Sequence, residues 1–153
     1  MIKFGKTISA DQDNFVRYGK YGKEFVVIKG LFMGLDDSKT LYDQEIKFQE
    51  ALSAEGFAPR LLKKNIKADK SGRTFMVWVS EDAGLPIEEE DVPAANKLLD
   101  ELYERGIVLS FMIDQRMFVK GFDGKIRVTD FKHAEIFEDP ILKDKRVYIQ
   151  WKA

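Results

Sequence analysis

The spacing of apolar residues alternates between strand-like and helical along this chain, and the order of those changes limits the folds open to it. In the first thirty residues it is strand-like: Ile2–Ile8, Phe15–Tyr18 and Glu24–Lys29, the last holding the run Phe25-Val26-Val27-Ile28. Tyr18-Gly19-Lys20-Tyr21-Gly22 reads as a glycine-punctuated turn between the second and third segments. From Ser38 to Glu55 the period is helical, with Leu41, Phe48 and Leu52 on one stripe. Asp36-Asp37-Ser38 is its N-cap signal and Gly56 its stop. Strand character returns at Arg60–Ala68 and Arg73–Val79, a hairpin around Asp69-Lys70-Ser71-Gly72. A second helix opens at Pro93 and ends at Gly106, with Leu98, Leu99, Leu102 and Tyr103 as its apolar face. The connector before it, including Glu88-Glu89-Glu90-Asp91, reads as a solvated linker that brings negative charge to a helix N-terminus.

After the second helix come Ile107–Met112, a strand Met117–Lys120, a turn Phe122-Asp123-Gly124 and a strand Ile126–Val128. In the tail, Asp139-Pro140 is a helix-start signal, whereas Val147, Ile149 and Trp151 alternate like a strand. The whole order predicts an α+β domain: an antiparallel sheet with one packed helix, then a smaller helical part.

At 153 residues the chain is expected to form one domain. A formal net charge of −1 argues against a nucleic-acid partner, which calls for a basic excess. With no cysteine and a single histidine, His133, thiolate chemistry, disulfides and histidine metal clusters are excluded. The longest apolar run, near Ile107–Leu109, is far short of the ~20 residues that span a bilayer, so no membrane span is expected. MIKFGKTISADQ lacks the apolar core of a Sec signal peptide. The expectation is a cytoplasmic protein, or one delivered into a host cell by a route without such a peptide.

Glu45 falls on the apolar stripe of the first helix, beside Leu41, Phe48 and Leu52. A carboxylate there either lies at the stripe's edge in water or meets a cation inside. Val26-Val27-Ile28-Lys29 supplies a lysine at the end of the preceding strand. Farther on stand Leu102-Tyr103-Glu104-Arg105-Gly106-Ile107-Val108 and Asp123-Gly124-Lys125-Ile126-Arg127-Val128-Thr129-Asp130-Phe131. In that order these segments resemble the protein-kinase superfamily: a strand lysine, its helix glutamate, the segment leading to the catalytic loop, and the strand leading to Asp-Phe-Gly. The resemblance spans residues 1 to about 137. It implies a sheet-bearing N-lobe over 1–80, a hinge over 81–91 and a severely truncated C-lobe over 92–153. It also implies that Lys29, paired with Glu45, faces nucleotide phosphates, and that Asp130 is the vestigial Mg²⁺ ligand. Read without it, Lys29 ends a strand as a solvated charge and Asp130 caps a turn.

The departures from the family pattern fall on the catalytic parts. The three glycine positions of the phosphate loop align with Ser9, Asp11 and Asn14, once Val16 is set on the valine. Asp11 and Asp13 add negative charge where a polyanion would lie. His-Arg-Asp aligns with Leu109-Ser110-Phe111, and the metal-binding asparagine with Arg116. Phenylalanine takes no proton and arginine ligates no Mg²⁺. A rival register makes Asp114 the base, with Val119 in the asparagine slot. Arg116 or Lys132, the latter replacing the glycine of Asp-Phe-Gly, supplies fixed positive charge in place of the metal. Phe111 is expected to pack inward beside Met112 and Phe131.

Only 23 residues follow Asp130, without an Ala-Pro-Glu segment, so no peptide-docking lobe is expected. In size and layout the chain is similar to small kinase-like effectors of type III secretion systems in enteric bacteria, which are delivered into host cells and act partly by binding host signalling or ubiquitin-pathway proteins. It also resembles other minimal bacterial and phage kinase-like proteins. Three functional expectations follow: an inactive kinase-like domain that binds a protein partner, a minimal Ser/Thr kinase with relocated catalytic groups, and an unrelated α+β adaptor or immunity domain. No cofactor is expected under the first, with weak Mg-ATP binding at most.

Overall fold

A computed structural model describes residues 2–153. Its central element is a five-stranded antiparallel sheet in the order β1-β2-β3-β5-β4, built from β1 (Ile2–Ala10), β2 (Asn14–Tyr21), β3 (Glu24–Phe32), β4 (Leu61–Lys70) and β5 (Arg73–Glu81). Helix α1 (Ser38–Ser53) packs on one face of the sheet. The second part holds β6 (Leu85–Pro86), α2 (Val92–Glu104), β7 (Ile107–Val108), β8 (Phe118–Lys120), β9 (Ile126–Val128) and β10 (Glu135–Ile136). The α+β order read from the sequence is therefore present.

The sheet has a core on each face because its central strands alternate cleanly. Val26 and Ile28 of β3 and Phe75, Val77 and Val79 of β5 point away from α1, and Ile2, Phe15, Tyr21, Leu62 and Ile66 close over them. On the other face Leu31 and Trp78 meet Tyr42 and Ile46 of α1. Phe48 and Leu52, farther round the same helix, join the second part with Leu98, Leu99, Leu102, Val128 and Phe131. Helix α1 is thus wedged between two cores, which explains why its buried positions outnumber a single stripe.

Several boundaries differ from the sequence reading. Strand β2 runs straight through Gly19 to Tyr21, and the turn is only Gly22-Lys23. No side-chain cap comes from Asp37; instead Ser38 Oγ accepts from the Leu35 amide at 3.1 Å and donates to the Phe32 carbonyl at 2.8 Å. Gly106 does stop α2, at φ +75°, a left-handed conformation that costs glycine little. The acidic connector is not a plain solvated linker. Leu85–Pro86 pairs with β8, and Asp91 is buried at the close of a 3₁₀ turn, accepting from the Glu88 amide and from Lys120 at 3.0 Å. Edge strand β4 is irregular in register and carries exposed Lys63, Lys64, Lys67 and Lys70.

The tail forms neither helix nor strand. It lies across α2 in extended form, interrupted by a 3₁₀ turn at Lys143–Lys145, and packs Ile141, Val147, Ile149 and Trp151 on the second core. Backbone groups that a sheet would pair go instead to side chains. Val147 exchanges hydrogen bonds with the Tyr103 hydroxyl, and the Ile149 amide donates to Asn96 Oδ1 at 3.0 Å. Arg146 bridges Asp100 and Glu104. Among the described residues no helix is long and apolar enough to cross a membrane.

Tyr103→Phe removes the hydroxyl that serves both polar groups of Val147. The expected loss is about 1–3 kcal/mol in urea unfolding, with faster amide exchange at Val147; unchanged exchange there means the tail is held by its apolar contacts alone.

Candidate functional site

Between the sheet and the second part lies a cleft of about 780 Å³. Cross-strand pairing sets its upper wall. Lys29 stands opposite Val16 on β2 and Trp78 on β5, so all three point to the α1 side of the sheet. Helix α1 brings Glu45 to the same place, where it is 1% exposed. The two heads meet at 3.4 Å, so the carboxylate on the apolar stripe is inside and paired.

The pair also holds the segment after β9. Lys29 Nζ donates to the Thr129 carbonyl, and Glu45 Oε2 accepts from the Phe131 amide. Gln44 adds a bond to the Lys132 carbonyl at 3.2 Å and another to the Ala134 carbonyl. Phe131 is fully buried, its ring stacked on Phe48 with centroids 6.4 Å apart. Asp130 is thereby left half-exposed on the cleft wall. Burial pushes the Glu45 carboxyl above its ordinary range, opposed by the Lys29 ammonium and by the Phe131 amide, while the charge of Asp130 pushes it further up.

The β1–β2 turn at the mouth of the cleft is closed on itself. Asp11 Oδ1 accepts from the amides of Asp13 and Asn14, each at 2.8 Å. The Asp13 amide is the first cause of an Asp11 carboxyl held below its usual range. Asp13 pairs with Arg73 at 3.2 Å, and Lys132 Nζ reaches across to Asn14 Oδ1 at 3.0 Å. The Asp13 and Asn14 amides are thus engaged by the chain's own carboxylate.

On the opposite wall the structure corrects one expectation. Phe111 does not pack inward: it is 83% exposed, and Met112 is 75% exposed. The inward places are taken by Leu109 and Ile113, both buried, so the residues between them bulge into solvent. Phe131 is in the core without them. Arg116 is also turned outward and grips Asp114 at 2.9 Å, and that guanidinium holds the Asp114 carboxyl below its ordinary range. Asp114, Arg116 and Lys132 all line the same cleft as Lys29, Glu45 and Asp130.

Gln49 lies four residues after Glu45 and is just as buried, donating to Ser80 Oγ at 2.6 Å and to the Pro59 carbonyl at 3.0 Å. A second polar residue at helical spacing from Glu45 was its visible signal. The Thr129 carbonyl and the Lys132–Asn14 bond had none, since both depend on chain ends brought together by the fold. No protein-family model matches the chain, and comparison with curated proteins yields no match.

Two outcomes are expected. A carboxyl whose pKa is raised by folding gives stability that is full below the ordinary glutamate value of about 4.3 and lost as pH rises through the raised value. Urea midpoints of the wild type should therefore fall relative to Glu45→Gln across that interval; parallel curves would mean that Glu45 titrates as in the unfolded chain. Phe111→Asp should change stability by less than about 0.5 kcal/mol, as an exposed site does, measured by the same unfolding assay.

Proposed function

We propose that this chain is a catalytically inactive, protein-kinase-like domain that serves as a protein-binding or regulatory module. One observation carries the reading. The Lys29–Glu45 pair is locked to the segment bearing Asp130, as a nucleotide-handling wall requires, while the loop opposite offers no free base. In this reading the sheet with α1 is the N-lobe, α1 plays the αC part, residues 81–91 are the hinge, and 92–153 are a reduced C-lobe.

Asp130 is the one carboxylate this reading offers to Mg²⁺, and the asparagine slot of the resemblance holds Arg116, which brings no oxygen ligand and is itself tied to Asp114. The self-capped Asp11 turn also works against nucleotide phosphates. Exposed Phe111 and Met112 fit a domain whose loop contacts a protein partner, whether in the cytoplasm or, as for the effectors it resembles, inside a host cell.

The second reading, a minimal kinase, rests on Asp114, which shares the cleft with Asp130. Against it stands the lowered pKa: a base works best near the operating pH.

Mg-ATP titrated against thermal stability separates the two, because ligand at 100 times its Kd adds about 2.7 kcal/mol. No upward shift at sub-millimolar ATP is expected, and no phosphate transfer to generic acceptors. Transfer by the wild type that is abolished in Asp130→Ala and Asp114→Asn would establish the enzyme reading instead.

A further inference from the structure

Charge is unevenly shared in this chain. The five strands of the sheet carry ten lysines or arginines and three aspartates or glutamates, the rest of the chain fifteen and twenty-three. Strand pairing gathers part of that basic excess at one end of the sheet. Lys3 of β1 lies directly opposite Lys20 of β2, which lies opposite Phe25 of β3. Lys23 stands in the turn beyond them, and Lys63 of β4 reaches the same end, its ammonium 5.8 Å from the centre of the Tyr21 ring. All four lysines are exposed, and none has a carboxylate within salt-bridge reach among the described residues. Glu24, the acid beside that turn, pairs with Arg60 at 3.5 Å. Like charges directly opposite each other weaken a sheet, and nothing inside the fold compensates for the Lys3–Lys20 pair. Phe25 is 68% exposed, with the Lys20 ammonium 4.8 Å from its ring centre. This end projects: a Cβ at Gly22 would meet no atom beyond its chain neighbours within 4 Å, and neither Phe25 nor any of the four lysines lines the central cleft.

We propose that this end of the sheet is a docking tip for an anionic lipid surface. Phe25 enters the boundary between headgroups and acyl chains, and Lys3, Lys20, Lys23 and Lys63 lie among the lipid phosphates and carboxylates. Shape selects this occupant among anions. A single-stranded nucleic acid is held by a groove with successive rings, whereas here one ring stands beside a projecting turn. An acidic strand added to the sheet needs a regular open edge, and both edge strands, β1 and β4, break register. A ring set among lysines on a projecting turn matches a flat, negative, deformable layer. Four charges and one ring give reversible attachment, since each lysine at such a surface contributes only modestly. The acid-rich remainder of the chain is repelled by the same surface, which orients the molecule with its sheet toward the lipid. The tip uses neither the cleft nor the Lys29–Glu45 pair, so it stands apart from the kinase-like reading.

The test is co-sedimentation with vesicles of phosphatidylcholine containing about one-third phosphatidylserine, beside vesicles of phosphatidylcholine alone. Binding is expected only to the first. It should weaken about tenfold or more with the double change Lys20→Glu and Lys23→Glu, and likewise at about 1 M salt, where screening is nearly complete. Phe25→Ser, which leaves every charge in place, should weaken it severalfold. Lys143→Glu with Lys145→Glu makes the same change of net charge on the exposed tail turn and should bind as the wild type does. If the Lys20 and Lys23 variant does not fold, Lys3→Gln with Lys63→Gln takes its place, and a clear loss is again required. No binding to either vesicle overturns the proposal, as does equal binding to both or an equal loss in the tail variant. Retention of poly-glutamate or of an oligo-dT strand without vesicle binding overturns it in favour of a soluble acidic partner.

Discussion

A single buried carboxylate holds the two halves of this molecule in register. Glu45 is carried by α1, is neutralised by Lys29 of the sheet, and receives the amide of Phe131 from the second part. Each contact alone is modest, and a charge with no partner at that depth is costly. Together they make the position of α1 conditional on both neighbours at once. Apolar packing follows the same geometry, since Tyr42 and Ile46 seat the helix on the sheet while Phe48 stacks on Phe131.

That constraint shapes the cleft. With Glu45 and Lys29 fixed, Thr129 and Phe131 are pinned by their backbone and Asp130 between them is exposed to the cavity. The opposite wall follows a different logic. Leu109 and Ile113 anchor the loop in the core, and what lies between them is turned out. One wall is built from a polar network and the other from an apolar anchor with a projecting tip.

Much of this is legible in the amino-acid sequence. Alternation in β3 and β5, the stripe of α1 and the glycine stop of α2 are local signals, and they place the elements correctly. Glu45 stands out because a charge on an apolar stripe either stays at its edge in water or meets a cation, and it is the resemblance to the kinase order of segments that names Lys29 as that cation. The outward turn of Phe111, against the sequence expectation, has a physical reason. Its inward packing was inferred from hydrophobicity, whereas which apolar residue of a short loop turns inward depends on the tether length between its anchors. The tail was illegible for a similar reason, because its backbone is satisfied by Tyr103, Asn96 and Gln115 side chains that no periodicity reveals.

The irregular, lysine-bearing edge of β4 has a consequence for how this molecule can associate. An open strand edge is a template onto which another chain can dock by main-chain pairing. Four exposed ammonium groups and a broken register make β4 a poor template, because an incoming strand would meet charge and mismatched spacing. On that side the sheet is a terminated object: it resists fibrillar growth, and whatever meets it there must recognise side chains.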